Sequence, residues 1–185
     1  MHLKKYVWAL RALIYKPFFK HIGVMSYIGK PCFIEGCKRI SIGSKTRIFP
    51  GIRIEAIGDG TVSIGNNCAI EQNVHIISLN KNLEIGNNTT LSANVFISNV
   101  DHVYDDITKS VMDQPLAVKY TSIGEGSFIG FGASILPGTV IGKHCIVGSN
   151  SVVKGVFPDY CVIAGIPGKV VKTYDLEKKQ WIKKQ

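Results

Sequence analysis

The chain has 185 residues, of which 45% are hydrophobic and 19% charged, and its formal net charge is +9. That length and apolar content exclude a disordered chain and support one domain with its own core. The positive balance admits nucleic acid, an anionic membrane surface or anionic small ligands as partners, but no aromatic-basic interleaving marks a nucleic-acid surface, so none is expected.

Residues 1–22 form a basic, aromatic-rich segment in which Leu3, Val7, Leu10 and Ile14 fall at helical spacing, with Lys4, Lys5 and Arg11 between them. This spacing predicts a short amphipathic helix over residues 1–20 that Pro17 stops or kinks. Such a helix either caps the open end of a repeat structure or lies on a membrane surface, and the two roles are compatible. No run of about 18 uninterrupted apolar residues is present, so no spanning helix is expected. The segment also lacks the uncharged core and cleavage site of a signal peptide.

From residue 24 to 165 an aliphatic residue recurs every sixth position, often followed by Gly. The longest unbroken series is Ile123, Ile129, Ile135, Ile141, Val147, Val153; shorter ones run Ile42–Ile48–Ile54, Ile64–Ile70–Ile76 and Ile85–Leu91–Ile97. A period of six fits neither a helix nor a hairpin meander. It predicts an all-β solenoid: a parallel β-helix with three flat sides and one hexad per side. Within each hexad the aliphatic residue points into a narrow core, and Gly or Asn supplies the bend. The fifth position is small because the corner is tight, as at Thr46, Cys68, Thr89, Ser127, Ala133, Cys145 and Ser151. Cys68 and Cys145 therefore read as small buried residues. With five Cys and no C-x-x-C, neither a disulfide framework nor a zinc site is indicated, and a reducing cytoplasm is the expected compartment.

Three insertions interrupt the count. Ile54 to Ile64 and Ile76 to Ile85 carry four and three extra residues, expected as short corner loops, whereas Ile97 to Ile123 carries twenty. Long insertions in solenoids map to loops on one face, often the binding face. The loop over residues 98–120 contains Asp101-His102. A loop histidine can serve as a general base, because its ordinary pKa lies near 6.5. A catalytic metal would need about three converging ligands. His75 could approach His102 across adjacent coils, but no third His is well placed, so no metal is expected. After Val153 the repeat ends, Ala164–Lys169 form a turn, and residues 174–185, with Leu176 and Trp181, read as a closing helix.

The hexads, the Asp101-His102 loop and the ending Ala164-Gly165-Ile166-Pro167-Gly168-Lys169-Val170-Val171 together resemble the left-handed β-helix, or hexapeptide-repeat, acetyltransferases. Among these the chain is most similar to the sugar O-acetyltransferases of O-antigen, capsule and colanic acid synthesis. The match spans about residues 28–174, so residues 23–173 are expected as the acyltransferase domain. The resemblance implies acetyl-CoA as co-substrate, a homotrimer with active sites between subunits, and His102 as the base that takes the proton of the acceptor hydroxyl. It places Glu71, Asn73 and Asp101 toward the acceptor, although Glu71 stands where galactoside enzymes carry Asn. It places the CoA groove along Phe131, Gly132, Ala133 and Ser149, with Lys154, Lys169 and Lys172 for the phosphates. The acceptor implied is a sugar or glycan, free or lipid-linked. The alternatives are a soluble amino sugar or small hydroxyl acceptor, or a non-catalytic or metal-binding β-helix trimer.

Overall fold

The computed structural model describes residues 3–184. It is a solenoid of three parallel sheets, entered through one helix, α1 (Leu3–Tyr15). The first sheet stacks seven strands, from His21–Ile22 to Val156–Phe157, and the third stacks six, from Phe33–Glu35 to Val152–Val153. The second begins at Tyr27–Ile28 and continues through Cys161–Gly165 into two further strands.

The hexad aliphatics stack directly on one another, coil upon coil. Ile42, Ile64, Ile85, Ile123 and Ile141 pair in register along the first sheet. Ile54, Ile76, Ile97, Ile135 and Val153 do so along the third. All ten are at most 3% exposed, so the core is a continuous aliphatic column. Adjacent coils are joined by main-chain hydrogen bonds, so among the described residues the coil strands have unpaired edges at the two solenoid ends.

The corners explain the small and polar positions. The side chains of Thr46, Cys68 and Ser127 are buried and donate to the carbonyls of Gly65 (2.8 Å), Gly86 (3.2 Å) and Gly142 (3.2 Å) one coil on. Asn67 and Asn88 adopt left-handed φ and are linked Nδ2 to Oδ1 at 2.9 Å, forming a ladder along the edge. Cys145 and Cys161 are free thiols with Sγ atoms 3.5 Å apart; burial pushes the Cys161 thiol up to about 12.

All three insertions fall at the same edge, where the chain passes from the third sheet to the first. The two shorter ones are not simple loops. They lengthen the flanking strands to Arg53–Ile57 with Thr61–Ile64 and to His75–Leu79 with Asn82–Ile85. The added Ala56, Val62, Ser78 and Leu83 are buried, so the inward-outward alternation continues through them.

The N-terminal helix forms as its spacing predicts and caps the first coil, but with the face opposite its apolar stripe. Trp8 packs against Tyr27 and Phe49, Ala12 is buried, and Arg11 Nη1 donates to the Ile28 carbonyl at 3.0 Å. No helix among the described residues is long and apolar enough to cross a membrane.

The expected closing helix over 174–185 is replaced by strands. Gly168–Asp175 returns antiparallel along Cys161–Gly165, and Gln180–Lys183 pairs antiparallel with it. Two forces favour this outcome: the run Val170-Val171-Lys172-Thr173-Tyr174 is rich in strand-preferring residues, and the last coil offers an open edge. Tyr174 and Trp181 then meet across the hairpin with ring centroids 5.3 Å apart.

Candidate active site

The long insertion folds onto the solenoid as a two-stranded arm. Val100–His102 pairs antiparallel with Leu116–Val118, which sets His102 opposite Leu116. The base of this arm is held by Asn99, which is fully buried. Its Oδ1 accepts from Leu79 N at 2.8 Å, and its Nδ2 donates to Ser78 Oγ and the Leu79 carbonyl, both at 3.2 Å. The lengthened strand His75–Leu79 thus supplies the anchor for the arm above it. Farther out, Gln114 braces the loop: its Oε1 accepts from Asp106 N, and its Nε2 donates to the Asp106 carbonyl, each at 3.0 Å. Bonds from Thr108 and Lys109 hold the Asp106 carboxyl below the usual carboxylate range.

Between arm and third sheet lies a cleft of about 380 Å³. Its walls are Ile77, Phe96, Leu136 and Pro137 on the solenoid, and Val100, Asp101, His102 and Leu116 on the arm. An exposed imidazole on a braced arm over an apolar floor can exchange protons with a bound hydroxyl. Asp101 steadies the backbone there, its Oδ1 accepting from His102 N at 3.0 Å.

Within one chain the other expected acceptor residues lie away from this cleft. Glu71 sits at the corner between the second and third sheets, where its Oε2 accepts from Ala93 N at 3.0 Å. Asn73 occupies the same corner with left-handed φ and donates from Nδ2 to Asn94 Oδ1 at 3.2 Å. Neither lines the His102 cleft; both serve the ladder that stacks this edge. A carboxylate at a bend looks the same in sequence whether it meets ligand or backbone.

The expected CoA residues follow the same edge on later coils. Phe131 and Ser149 are exposed there, and Gly132 holds φ 67°. Ala133 is fully buried, and the N–H groups of Gly132 and Ala133 already donate to the carbonyls of Ala93 and Gly130. Gly132 can offer surface there, Ala133 cannot, and neither has a spare N–H. Lys169 is exposed and Lys172 half-buried on the C-terminal hairpin. Lys154 is exposed at the opposite edge, one strand beyond the Leu136 that floors the cleft.

Sequence reasoning missed one group near the cleft as a unit. On the outer face of the third sheet, Glu55 Oε1 accepts from Arg53 Nε at 2.7 Å and meets His75 Nε2 at 2.9 Å. Chiefly the Arg53 bond, then that of His75, holds the Glu55 carboxyl below the ordinary range against the opposing cost of burial. His75 packs edge-on to Phe96 at 5.4 Å, and Phe96 lines the cleft. The signal was present in sequence as the in-register positions Arg53 and His75 on two successive coils, and the lengthened strand Arg53–Ile57 sets Glu55 beside them. Among the described residues no cluster of three His, Cys, Asp or Glu is arranged to hold a metal ion.

Comparison with known proteins agrees with the solenoid fold. The family profile "Bacterial transferase hexapeptide (six repeats)" matches residues 120–155. The chain is 32% identical over 178 residues to the Escherichia coli K12 protein named "Putative lipopolysaccharide biosynthesis O-acetyl transferase WbbJ", covering 92% of this chain and 89% of that one. Among solved structures, the N-acyltransferase AntD from Bacillus cereus superposes with a TM-score of 0.81 at 18% identity, covering 96% of this chain and 94% of that one. A galactoside acetyltransferase in complex with coenzyme A superposes with a TM-score of 0.64 at 22% identity, covering 100% of this chain and 78% of that one. Hexad register, one histidine-bearing arm at the enlarged edge and a relative matched across nearly its whole length lead to one assignment: the chain belongs to the left-handed β-helix, hexapeptide-repeat acetyltransferases.

Proposed function

We propose that the protein transfers an acetyl group from acetyl-CoA to a sugar hydroxyl during synthesis of a bacterial surface polysaccharide, on a free or lipid-linked acceptor. The observation that carries this reading is His102, held on a braced arm over a cleft of sugar size, in a chain matched along most of its length to a protein named for lipopolysaccharide O-acetylation. In the proposed reaction His102 takes the proton of the acceptor hydroxyl as that oxygen attacks the thioester carbonyl. The tetrahedral intermediate collapses with cleavage of the C–S bond, and the CoA thiolate leaves with the proton from His102. No acyl-enzyme forms.

CoA would follow the edge of Phe131 and Ser149, with Lys169 and Lys172 of the same chain, and Lys154 from a neighbouring copy, meeting its phosphates. Within one chain that edge and the arm flank opposite sides of the third sheet. This separation supports a homotrimer in which one subunit's arm faces a neighbour's CoA edge. The expected site of action is the cytoplasmic face of the inner membrane, where both acetyl-CoA and a lipid-linked precursor are found.

The test is thiol release from acetyl-CoA across a panel of sugars, amino sugars and lipid-linked glycans. Release with a hydroxyl acceptor, and an ester in the product, is expected. Transfer only to amines would replace the O-acetyl reading with an N-acetyl one. No acetyl-CoA binding by equilibrium dialysis at about millimolar concentration, an affinity of only about 4 kcal/mol, would overturn both.

A further inference from the structure

A second cavity lies at the N-terminal end of the same sheet. It measures about 730 Å³ and is walled by Ile14, Phe18 and Phe19 after the helix and by Phe33, Cys37 and Arg39 from the first coil. Its lining is mostly aromatic and aliphatic, yet one wall is cationic. Arg39 Nη2 donates to the Ala56 carbonyl, while Arg39 Nε is buried without a partner among the described residues. An unpaired buried N–H of a permanent cation is costly unless an acceptor completes it. Lys38 stands exposed beside it.

The helix leading into this cavity is turned inside out for a free protein. Arg11 and Lys5 lie against the solenoid, Lys5 with its ammonium 5.8 Å from the Tyr27 ring centre. Tyr6, Val7, Leu10, Leu13 and Ile14 face outward, each more than half exposed, and Phe18 continues the stripe to the cavity mouth at 61% exposed. Lys4, Lys16 and Lys20 are exposed near it. An apolar stripe flanked by ammonium groups is the surface that an anionic bilayer complements.

The cavity is connected to the His102 cleft by a straight row of side chains. Phe33, Arg53, His75 and Phe96 occupy one register position on four successive strands of the third sheet. Three strand spacings make about 14 Å. Phe33 lines the first cavity and Phe96 the second, and the Arg53 guanidinium lies over the Phe33 ring at 5.2 Å.

From this alignment we infer that the N-terminal cavity holds the isoprenoid chain of a diphosphate-linked acceptor. Arg39 and Lys38 meet its diphosphate, and its glycan lies along Arg53 and His75 toward His102. The inference rests on the acetyl-transfer reading and narrows its acceptor to the lipid-linked class. It is tested by binding, without acetyl-CoA, so that its failure is separate from that of the transfer reaction.

The experiment titrates the full chain with farnesyl diphosphate in a calorimeter, with farnesol and inorganic pyrophosphate as comparators. Farnesyl diphosphate should bind at least about tenfold more tightly than either part alone. Phe18→Glu, at an exposed position where folding is not at stake, should weaken it about tenfold or more. Arg39→Met should bring it close to farnesol. Equal binding of all three probes, or no response to Phe18→Glu, overturns the inference. Two further outcomes also overturn it. If Phe18→Glu instead abolishes binding to phosphatidylglycerol vesicles with farnesyl diphosphate unaffected, the cavity serves bulk lipid. If it changes only the sedimentation of the oligomer, a second copy of the chain fills the cavity.

Discussion

Asn99 pins the arm that carries His102, and its removal should loosen that arm more than the solenoid. Asn99→Ala deletes three hydrogen bonds, from Leu79 N and to Ser78 Oγ and the Leu79 carbonyl. At about 1 kcal/mol net each, and with the Leu79 N–H left without its acceptor inside the fold, the loss is about 3 kcal/mol. The Asn99 backbone bonds, its N–H to Ile77 and its carbonyl from Lys119, remain. The damage should therefore be local, because a solenoid passes stability only between neighbouring coils. The assay is amide hydrogen exchange. Leu79 and the arm amides should exchange about 100-fold faster. The amides of Phe49 and Gly148, which are hydrogen-bonded to Ile70 and Ile163 in coils away from the arm, should keep their rates. Turnover should fall as well, since a misplacement of about 1 Å in a catalytic group costs about 100-fold. Asn99→Asp keeps the acceptor for Leu79 N and should lie between the two. Arm exchange within about threefold of wild type would refute the pinning role, because it would put the net worth of all three bonds below about 0.7 kcal/mol.

Three other outcomes are expected. His102→Ala should lower thiol release by about 100- to 10,000-fold with an unchanged far-UV spectrum and sedimentation; near-wild-type turnover would remove His102 as the base. Glu55→Gln should flatten the acid limb of stability. The Glu55 carboxyl is depressed in the folded state, so its contribution is full above the ordinary carboxylate range and is lost as pH falls through the lowered value. The difference in unfolding midpoint between variant and wild type should shrink over that acid window; a constant difference would show that the charge is not what matters. Gly132→Ala should destabilise the later coils by about 1–2 kcal/mol, since Gly132 has φ 67° and an added Cβ would collide with Asn150 Oδ1. Denaturant midpoints measure it, and an unchanged midpoint would mean that the corner relaxes freely.

The hexad spacing makes most of the scaffold legible from the chain alone. Ile42, Ile64 and Ile85 are found in register because a six-residue side leaves each aliphatic residue the same choice of face. The failure of the count between Ile97 and Ile123 located the His102 arm for the same reason: residues that cannot be threaded into the core must leave it. The ladder bonds of Glu71 and Asn73 were not legible because their partners, Ala93 and Asn94, lie about one coil away in sequence. Asn99 carried no pattern of its own; its importance comes from the Leu79 N–H, which needs an acceptor at the end of a lengthened strand.

Local pattern therefore dictated the period, the inward face of each side and the place where the coil opens, since these follow from alternation along the chain and from which residues tolerate a bend. Packing between coils settled which face of the helix meets the solenoid, that residues after Gly168 join the last coil as strands, and that Phe33, Arg53, His75 and Phe96 form one row. Each of these depends on the surface offered by a neighbouring coil, its open edge, its unpaired carbonyl or its register, and no single hexad contains that information.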